Sequence, residues 1–291
     1  MLGSANMDLV AYVATAPVRG QTVLGREFRT VPGGKGANQA IAAARAGGEV
    51  RMIGAVGDDA FGTELRATLE RSGVDTARLR TVPGPTGTAH IVVDDQGGNA
   101  IVVVPSANAA VTSLDEADLA ALADCDVLLL QLELPLETVA AGAAAGRAAG
   151  VRVVLTPAPA QPLPASLLAD VDLLVPNEHE AAALAGLTDP AAAVAALLEH
   201  SPAVVVTLGA AGCLYAARGG EPVWVPAPAV DAVDTTAAGD AFVGALAVAL
   251  AEGRPAVAAL EWATAAAALS VRRPGASTSM PRRSEIDVIT R

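Results

Sequence analysis

With 291 residues, the chain is long enough for one large α/β domain, or for two, and can bury a substantial core without disulfide staples. Its formal net charge of −12 and aromatic content of 2 % exclude a surface built for nucleic-acid backbones or anionic membranes, which needs clustered Lys and Arg and rings for base stacking. Cys125 and Cys213 both fall in apolar, strand-like stretches and read as buried free thiols; with no basic leader and no apolar run reaching ~18 residues, the expected setting is the reducing cytoplasm.

Taken from the N-terminus, Asn6 and Asp8 have a polar turn after an expected first strand as their plain reading, which the glycine loop downstream turns toward ligand binding. Residues 33–36 read Gly-Gly-Lys-Gly. Lys35 is the only lysine among 19 basic residues; chance retention is the plain alternative, but the glycines favour a tight loop where a compact ammonium fits and a planar guanidinium does not. The β-rich runs 88–93 and 100–104 flank Asp-Asp-Gln-Gly-Gly-Asn and read as a hairpin. With parts of residues 11–30 it is expected to form a small sheet standing off the main body.

From about residue 115 onward the pattern alternates. Short apolar runs at 127–131, 151–155, 171–175 and 204–208 suit buried parallel strands, and alanine-rich stretches at 139–149 and 181–197 suit the helices between them. An open α/β sheet with helices on both faces follows, and such sheets bind ligands beyond the carboxyl ends of their strands. Those positions hold Gln131-Leu132-Glu133, Thr156-Pro157-Ala158-Pro159, Pro176-Asn177-Glu178-His179-Glu180 and residues 207–212.

Residues 234–240, Asp-Thr-Thr-Ala-Ala-Gly-Asp, precede Ala241, Phe242, Ala245, Leu246, Val248 and Ala249 at helical spacing. Bare first-turn amides are therefore expected around Ala237, Ala238, Gly239 and Asp240. A helix tip carries roughly half a positive elementary charge, and small residues let a phosphate approach its amides. The same field predicts a pKa at or below the ordinary value for Asp240. The plainer readings are a dipole partner for Asp240 and a helix cap for Asp234. No Walker A pattern occurs, nor a Gly-x-Gly-x-x-Gly after the first strand, so a phosphate donor has to be held differently.

The chain resembles the ribokinase-like (phosphofructokinase B type) sugar kinases over nearly its whole length. The resemblance rests on Gly3-Ser4-Ala5-Asn6-Met7-Asp8, residues 33–39 (Gly-Gly-Lys-Gly-Ala-Asn-Gln), Gln131-Leu132-Glu133, residues 176–180 and residues 233–240, in the family's order. It implies a single Rossmann-like, three-layer αβα domain over residues 1–291, with a small β-sheet lid from about 11–32 and 86–106 that often mediates homodimers. The implied activity is ATP-dependent phosphorylation of the 5-hydroxyl of D-ribose. Rivals are 2-deoxyribose, a ketohexose or a nucleoside as acceptor, and, in another class, a sugar or nucleotide sensor that has kept the fold.

By the same resemblance, Asn6, Met7, Asp8, Gly34, Lys35, Gly36, Ala37, Asn38, Glu133 and Asp240 are similar to residues that hold the sugar. Carboxylates and amides suit hydroxyls that both donate and accept. Asn177, Thr207, Leu208, Gly209, Ala210, Ala211, Gly212, Gly239 and Thr264 correspond to the nucleotide side, with Glu180 ordering Mg²⁺ through water. Glu178 and Glu180 also suit a helix N-terminus, and His179 reads as solvated. Asp240 matches the catalytic base, with the Ala237, Ala238, Gly239 and Asp240 amides as the anion hole. Asp234, Thr236, Ser270, Arg273, Gly275 and Ser279 match a monovalent-cation site, usually K⁺. Thr156 and Thr264 depart from the family's pattern beside the nucleotide.

Overall fold

A computed structural model describes residues 1–290. Fully buried Leu2 bridges both Ile53 and Leu130, and a few residues later the same segment becomes β1 (Asn6–Val13). It pairs antiparallel with β2 (Gly25–Gly33), whose residues 25–30 are exposed. Asn6 and Asp8 thus lie inside a strand and not in a turn after one, because β2 runs back to Gly33 opposite Asn6 and its ladder holds the polar residues extended.

Directly after β2 comes α1 (Lys35–Arg45), buried from Gly36 to Ala43. Next are β3 (Val50–Arg51), β4 (Gly54–Gly57) and α2 (Ala60–Arg71), which Asp59 caps by accepting the Gly62 amide. Two short strands, β5 (Val74–Asp75) and β6 (Leu79–Val82), pair with β3 and β4. The hairpin β7 (Gly87–Val93) and β8 (Asn99–Val104) completes a four-stranded sheet in the order β2-β1-β7-β8, with β7 parallel to β1.

The second half alternates. α3 (Glu116–Ala123) leads into β9 (Val127–Leu130), α4 (Leu136–Ala148), β10 (Arg152–Leu155), α5 (Ala165–Ala169) and β11 (Leu173–Leu174). After α6 (Glu178–Ala185), α7 (Pro190–Leu197) and β12 (Ala203–Thr207), the chain reverses twice into β13 (Cys213–Ala217) and β14 (Val223–Val225). Neither reversal was expected from the sequence. Strands β9 to β12 are parallel, whereas β13 and β14 are antiparallel because their connections are too short for a crossover helix. Three helices close the chain: α8 (Ala238–Ala251), α9 (Ala256–Ser270) and α10 (Arg283–Ile289).

Strand side chains alternate between two cores. Leu128, Leu130, Val153, Leu155 and Val204 pack with Val139, Ala143 and Leu197 of α4 and α7, while Leu129, Val154 and Val205 pack with Phe242, Leu246 and Trp262 of α8 and α9. The main body is therefore a three-layer, Rossmann-like αβα sandwich. Each fully buried Val or Leu stabilises it by ~1.5–3 kcal/mol. Where α1 crosses α8, a Cβ on Gly244 would stand 2.5 Å from the Ala42 Cβ and 2.8 Å from the Gln39 carbonyl oxygen. Only glycine permits that approach.

Both cysteines are free, but only Cys213 lies in a strand; half-buried Cys125 sits in the turn before β9, its thiol donating to the Leu122 carbonyl at 2.9 Å. Among the described residues no single helix is long and apolar enough to cross a membrane.

Candidate active site

The tip of α8 is shaped by Ala237, a non-glycine residue in the left-handed region with φ 58°. That conformation costs an alanine ~1–2 kcal/mol. It turns the chain so that the Ala241 amide makes the first helical hydrogen bond, to the Ala237 carbonyl at 2.9 Å. Of the four amides expected to be bare, Ala238 instead donates to the Thr235 carbonyl at 3.2 Å, while Ala237, Gly239 and Asp240 have no acceptor among the described residues. Gly239 is exposed, and a Cβ added there would meet nothing within 4 Å.

Within this first turn, the Asp240 carboxylate is buried and each of its oxygens is held. Asn38 Nδ2 donates to Oδ2 at 3.2 Å and Gln39 Nε2 to Oδ1 at 3.0 Å. Burial is the largest influence on this group and raises its pKa; Lys35 and the two amide donors pull the other way, and Glu133 adds to the rise. The net result is upward, which overturns the value expected from the helix tip alone. Desolvation of a charge inside the protein outweighs a partial charge at a helix end.

Around Asp240 stand three further charged groups from separate elements. Lys35, the first residue of α1, keeps its positive charge: burial lowers its pKa, but Asp240, Glu133, Glu180 and Asp8 together raise it by more. Glu133, just beyond β9, accepts the Lys35 amide at 3.0 Å, the Ser4 hydroxyl at 2.5 Å and Asn6 Nδ2 at 3.4 Å. Asp8 on β1 has no hydrogen-bond donor among the described residues. Burial first, then repulsion from Glu133 and Asp240, push it up to about 7, against the pull of Lys35.

The glycine loop acts first on the chain itself. Gly34 caps α1 with φ 91°, and a Cβ there would stand 2.6 Å from the Asn6 nitrogen; one on Gly36 would stand 2.5 Å from the Ser4 nitrogen. These residues let α1 press its N-terminus onto the segment carrying Ser4, Asn6 and Asp8. Asn6 is steadied from behind by buried Asn108, which donates to Asn6 Oδ1 at 2.7 Å and clamps both the amide and the carbonyl of Ala5.

A cavity of about 200 Å³ opens beside Lys35 and Asp240, lined also by Asn177, Glu180, Thr207 and Gly239; Asn6, Asp8, Asn38 and Glu133 lie outside its lining. Asn177 and Glu180 form the capping box of α6. Burial raises the Glu180 pKa against the Asn177 amide and Lys35. Thr207 is at the wall, whereas Leu208, Gly209, Ala210, Ala211 and Gly212 form a turn beyond it, exposed at Gly209, Ala210 and Ala211. Thr264 is not brought to the cavity: it is buried in α9, its hydroxyl donating to the Glu261 carbonyl of its own helix at 2.8 Å.

Asp234 does not cap α8, which starts later, at Ala238. Its carboxylate instead accepts the Thr236 amide at 2.9 Å and the Gly275 amide at 2.8 Å, tying two loops together. Burial opposes its charge, but those hydrogen bonds outweigh it and hold the carboxyl below its ordinary value. In the segment after Gly275, the Ser279 hydroxyl donates to the Ala276 carbonyl at 2.8 Å, which leaves the serine lone pairs open. Among the described residues no three His, Cys, Asp or Glu side chains cluster as a metal site.

A family model, described as pfkB family carbohydrate kinase, matches residues 1–283. The chain belongs to this family of carbohydrate kinases. Among its relatives, a ribokinase of Bacillus subtilis is 43 % identical over 290 residues, covering 99 % of this chain and 97 % of the relative. A deoxyribokinase of Salmonella typhimurium is 38 % identical over 291 residues, covering 97 % and 94 %. The solved structure of Arabidopsis thaliana ribokinase complexed with ribose and ATP superposes with a TM-score of 0.94 at 34 % identity, covering all of this chain and 97 % of the other.

Within this pfkB chain, sequence reading gave no role to Ser4, Gln39, Asn108 or Gln131. Three of them lie in the very motifs that carry the resemblance. The signal they offered was chemical: side chains with hydrogen-bonding groups in segments packed too tightly for water, which must find partners in the protein.

Proposed function

We propose that this chain transfers the γ-phosphoryl group of ATP to the 5-hydroxyl of D-ribose, giving ribose 5-phosphate. The observation that carries the reading is the meeting of Asp240, the bare amides of the α8 tip and Lys35 at one cavity, in a fold shared with a ribokinase that holds ribose and ATP. In this reading Asn6, Asp8, Asn38 and Glu133 grip sugar hydroxyls. Buried Asn38 Oδ1 has no partner among the described residues, as suits an atom that accepts from a hydroxyl.

Asp240 orients the 5-hydroxyl through its remaining lone pairs and takes the proton as the new O–P bond forms. Its raised pKa makes it a better base than an exposed aspartate. Phosphoryl transfer is loose in its transition state, so the proton moves late and positioning carries most of the rate. The Ala237, Gly239 and Asp240 amides hold charge on the transferring oxygens. Bound Mg²⁺ supplies charge neutralisation at the phosphates. Glu180 orders its water shell, and Thr207 with the turn 208–212 lies along the nucleotide; Thr264 contributes only packing behind it.

Asp234, the Ser279 hydroxyl and the carbonyls of Thr236, Ser270, Arg273 and Gly275 form a donor set of one carboxylate and neutral oxygens. Such a set suits a poorly hydrated monovalent cation, and K⁺ there would stiffen the loop that presents the amides. We further assign residues 1–291 to one domain, the β1, β2, β7 and β8 sheet to its lid, and a homodimer to that lid, supported by the exposed apolar residues Phe28, Ile101, Val102 and Val103.

A second acceptor, 2-deoxyribose, is favoured by the 38 % identical deoxyribokinase. ADP formation measured over D-ribose, 2-deoxyribose, ketohexoses and nucleosides, with and without K⁺, tests both readings. Greatest kcat/KM on D-ribose supports the first, and greatest kcat/KM on 2-deoxyribose replaces it. Sugar binding without ADP release would leave a sensor.

A further inference from the structure

We propose that Gln131 and Gln39 form a buried amide relay that fixes the orientation of the Asp240 carboxylate, making both glutamines positioning residues for phosphoryl transfer. The proposal rests on the reading of Asp240 as the base. Gln131 Nε2 donates to Gln39 Oε1 at 2.6 Å, and Gln39 Nε2 donates to Asp240 Oδ1 at 3.0 Å.

The order of these contacts matters. A primary amide presents a donor at one end and an acceptor at the other in nearly the same shape, so an isolated glutamine beside a carboxylate can face it either way. With its oxygen claimed by Gln131, Gln39 has only its N–H end left for Asp240. Asn38 holds the second carboxylate oxygen, so the group cannot rotate, and the lone pairs not used by Asn38 and Gln39 are left for a hydroxyl.

Two further features support the relay. Gln39 and Gln131 are 0 % and 1 % exposed, so no bulk water substitutes for a lost partner. The close crossing of α1 and α8 at Gly244, against Ala42, Ala43 and the Gln39 carbonyl, fixes the reach of the Gln39 side chain to Asp240 one turn earlier. The relay also has a stability cost. Gln131 Oε1 has no partner among the described residues, and a buried polar atom left unsatisfied is destabilising. An apolar residue would serve packing better.

Asp240 is faced by Lys35 from α1, by Glu133 beyond β9 and by Asp8 from β1. Against that background a donor to the ionised carboxylate lowers its pKa, so removal of Gln39 should move the acid limb of the kcat/KM profile to higher pH. The test uses Gln39→Met and Gln131→Met, close in size but without the amide, and the double variant. Each single change is expected to lower kcat ~10- to 100-fold, the scale seen when a group that orients a functional side chain is removed, with KM for ATP unchanged.

The double variant is expected to cost no more than Gln39→Met alone, as for residues acting in one chain. A folded Gln39→Met with an unmoved acid limb, or independent multiplying effects of the two changes, overturns the relay. If Gln39→Met does not fold, Gln131→Met decides, since it leaves Gln39 in place; normal kcat there overturns the proposal. Asp240→Asn run alongside separates the two readings. Near-normal turnover in it removes the base assignment, whereas loss in it with no change in the glutamine variants removes the relay alone.

Discussion

The tip of α8 and the four-stranded sheet each bring a carboxylate toward Lys35, and the two are prepared in opposite ways. Asp240 has both oxygens held by amides that are themselves buried. Asp8 has no donor among the described residues and is pushed up to about 7 by burial and its acidic neighbours. One side chain is oriented before any ligand arrives; the other is left short of partners that a sugar hydroxyl can supply. On the proposed reading, the main body presets the chemistry, and the small sheet holds an unmet demand for the substrate to satisfy.

The largest effect should come from breaking the preset side. Asp240→Asn keeps the shape but puts an NH₂ where one amide now donates, so that Asn38 must turn its unpartnered Oδ1 to it; the proton acceptor is lost, and kcat is expected to fall ~10²- to 10⁴-fold. Sugar binding by calorimetry and the melting temperature should stay close to those of the parent. Near-normal turnover would dissolve the comparison, since Asp240 would then be a structural group.

Changing the unmet side should act on binding. Ionised Asp8 accepts from hydroxyls and its protonated form accepts poorly, so KM for sugar is expected to rise as the pH falls through about 7. Asp8→Asn should raise KM above pH 7, converge with the parent below it, and so flatten that rise. A variant that keeps the parent's pH profile would place the titration elsewhere. Asn108→Ala, which removes the clamp behind Asn6, is expected to raise KM for sugar by about tenfold or less, as for one buried hydrogen bond of ~1 kcal/mol, with kcat little changed in the same assays.

The smallest catalytic effect is expected at the outer edge of the sheet. Ile101 and Val103 share a strand face with Asp8 through their pairing with Ile91 and Ala89. Ile101→Lys with Val103→Lys should lower the fraction of dimer in sedimentation while changing kcat on saturating sugar by less than about threefold, since exposed apolar surface contributes to association. A parent that is monomeric at all concentrations would end the dimer assignment.

Much of this was legible from residue order. The alternation of apolar runs with alanine-rich stretches gave the parallel part of the sheet, because buried strands and helices have distinct periods, and the small residues before Ala241 gave the helix tip. The antiparallel β13 and β14 were not legible, since short apolar strands look alike in either direction. Nor was the acidity of Asp240. Its local sequence carries the helix field, but its burial is made by α1, some two hundred residues earlier. The glycines around Lys35 were visible as a tight loop, yet their contact partner, the segment from Ser4 to Asp8, shows only once the chain is folded.

The first residues of the chain serve both bodies at once. Leu2 is bridged to Leu130 and Ile53 in the main layers, and Asn6 begins the central part of the small sheet, with only Gly3, Ser4 and Ala5 between. That short stretch is pinned on two sides, Asn108 holding the Ala5 amide and carbonyl and α1 pressing on it at Gly34 and Gly36. On the proposed reading, the grip on sugar and the placing of the acceptor share this one rigid support, and bulk added at Gly34 or Gly36 should disturb both together.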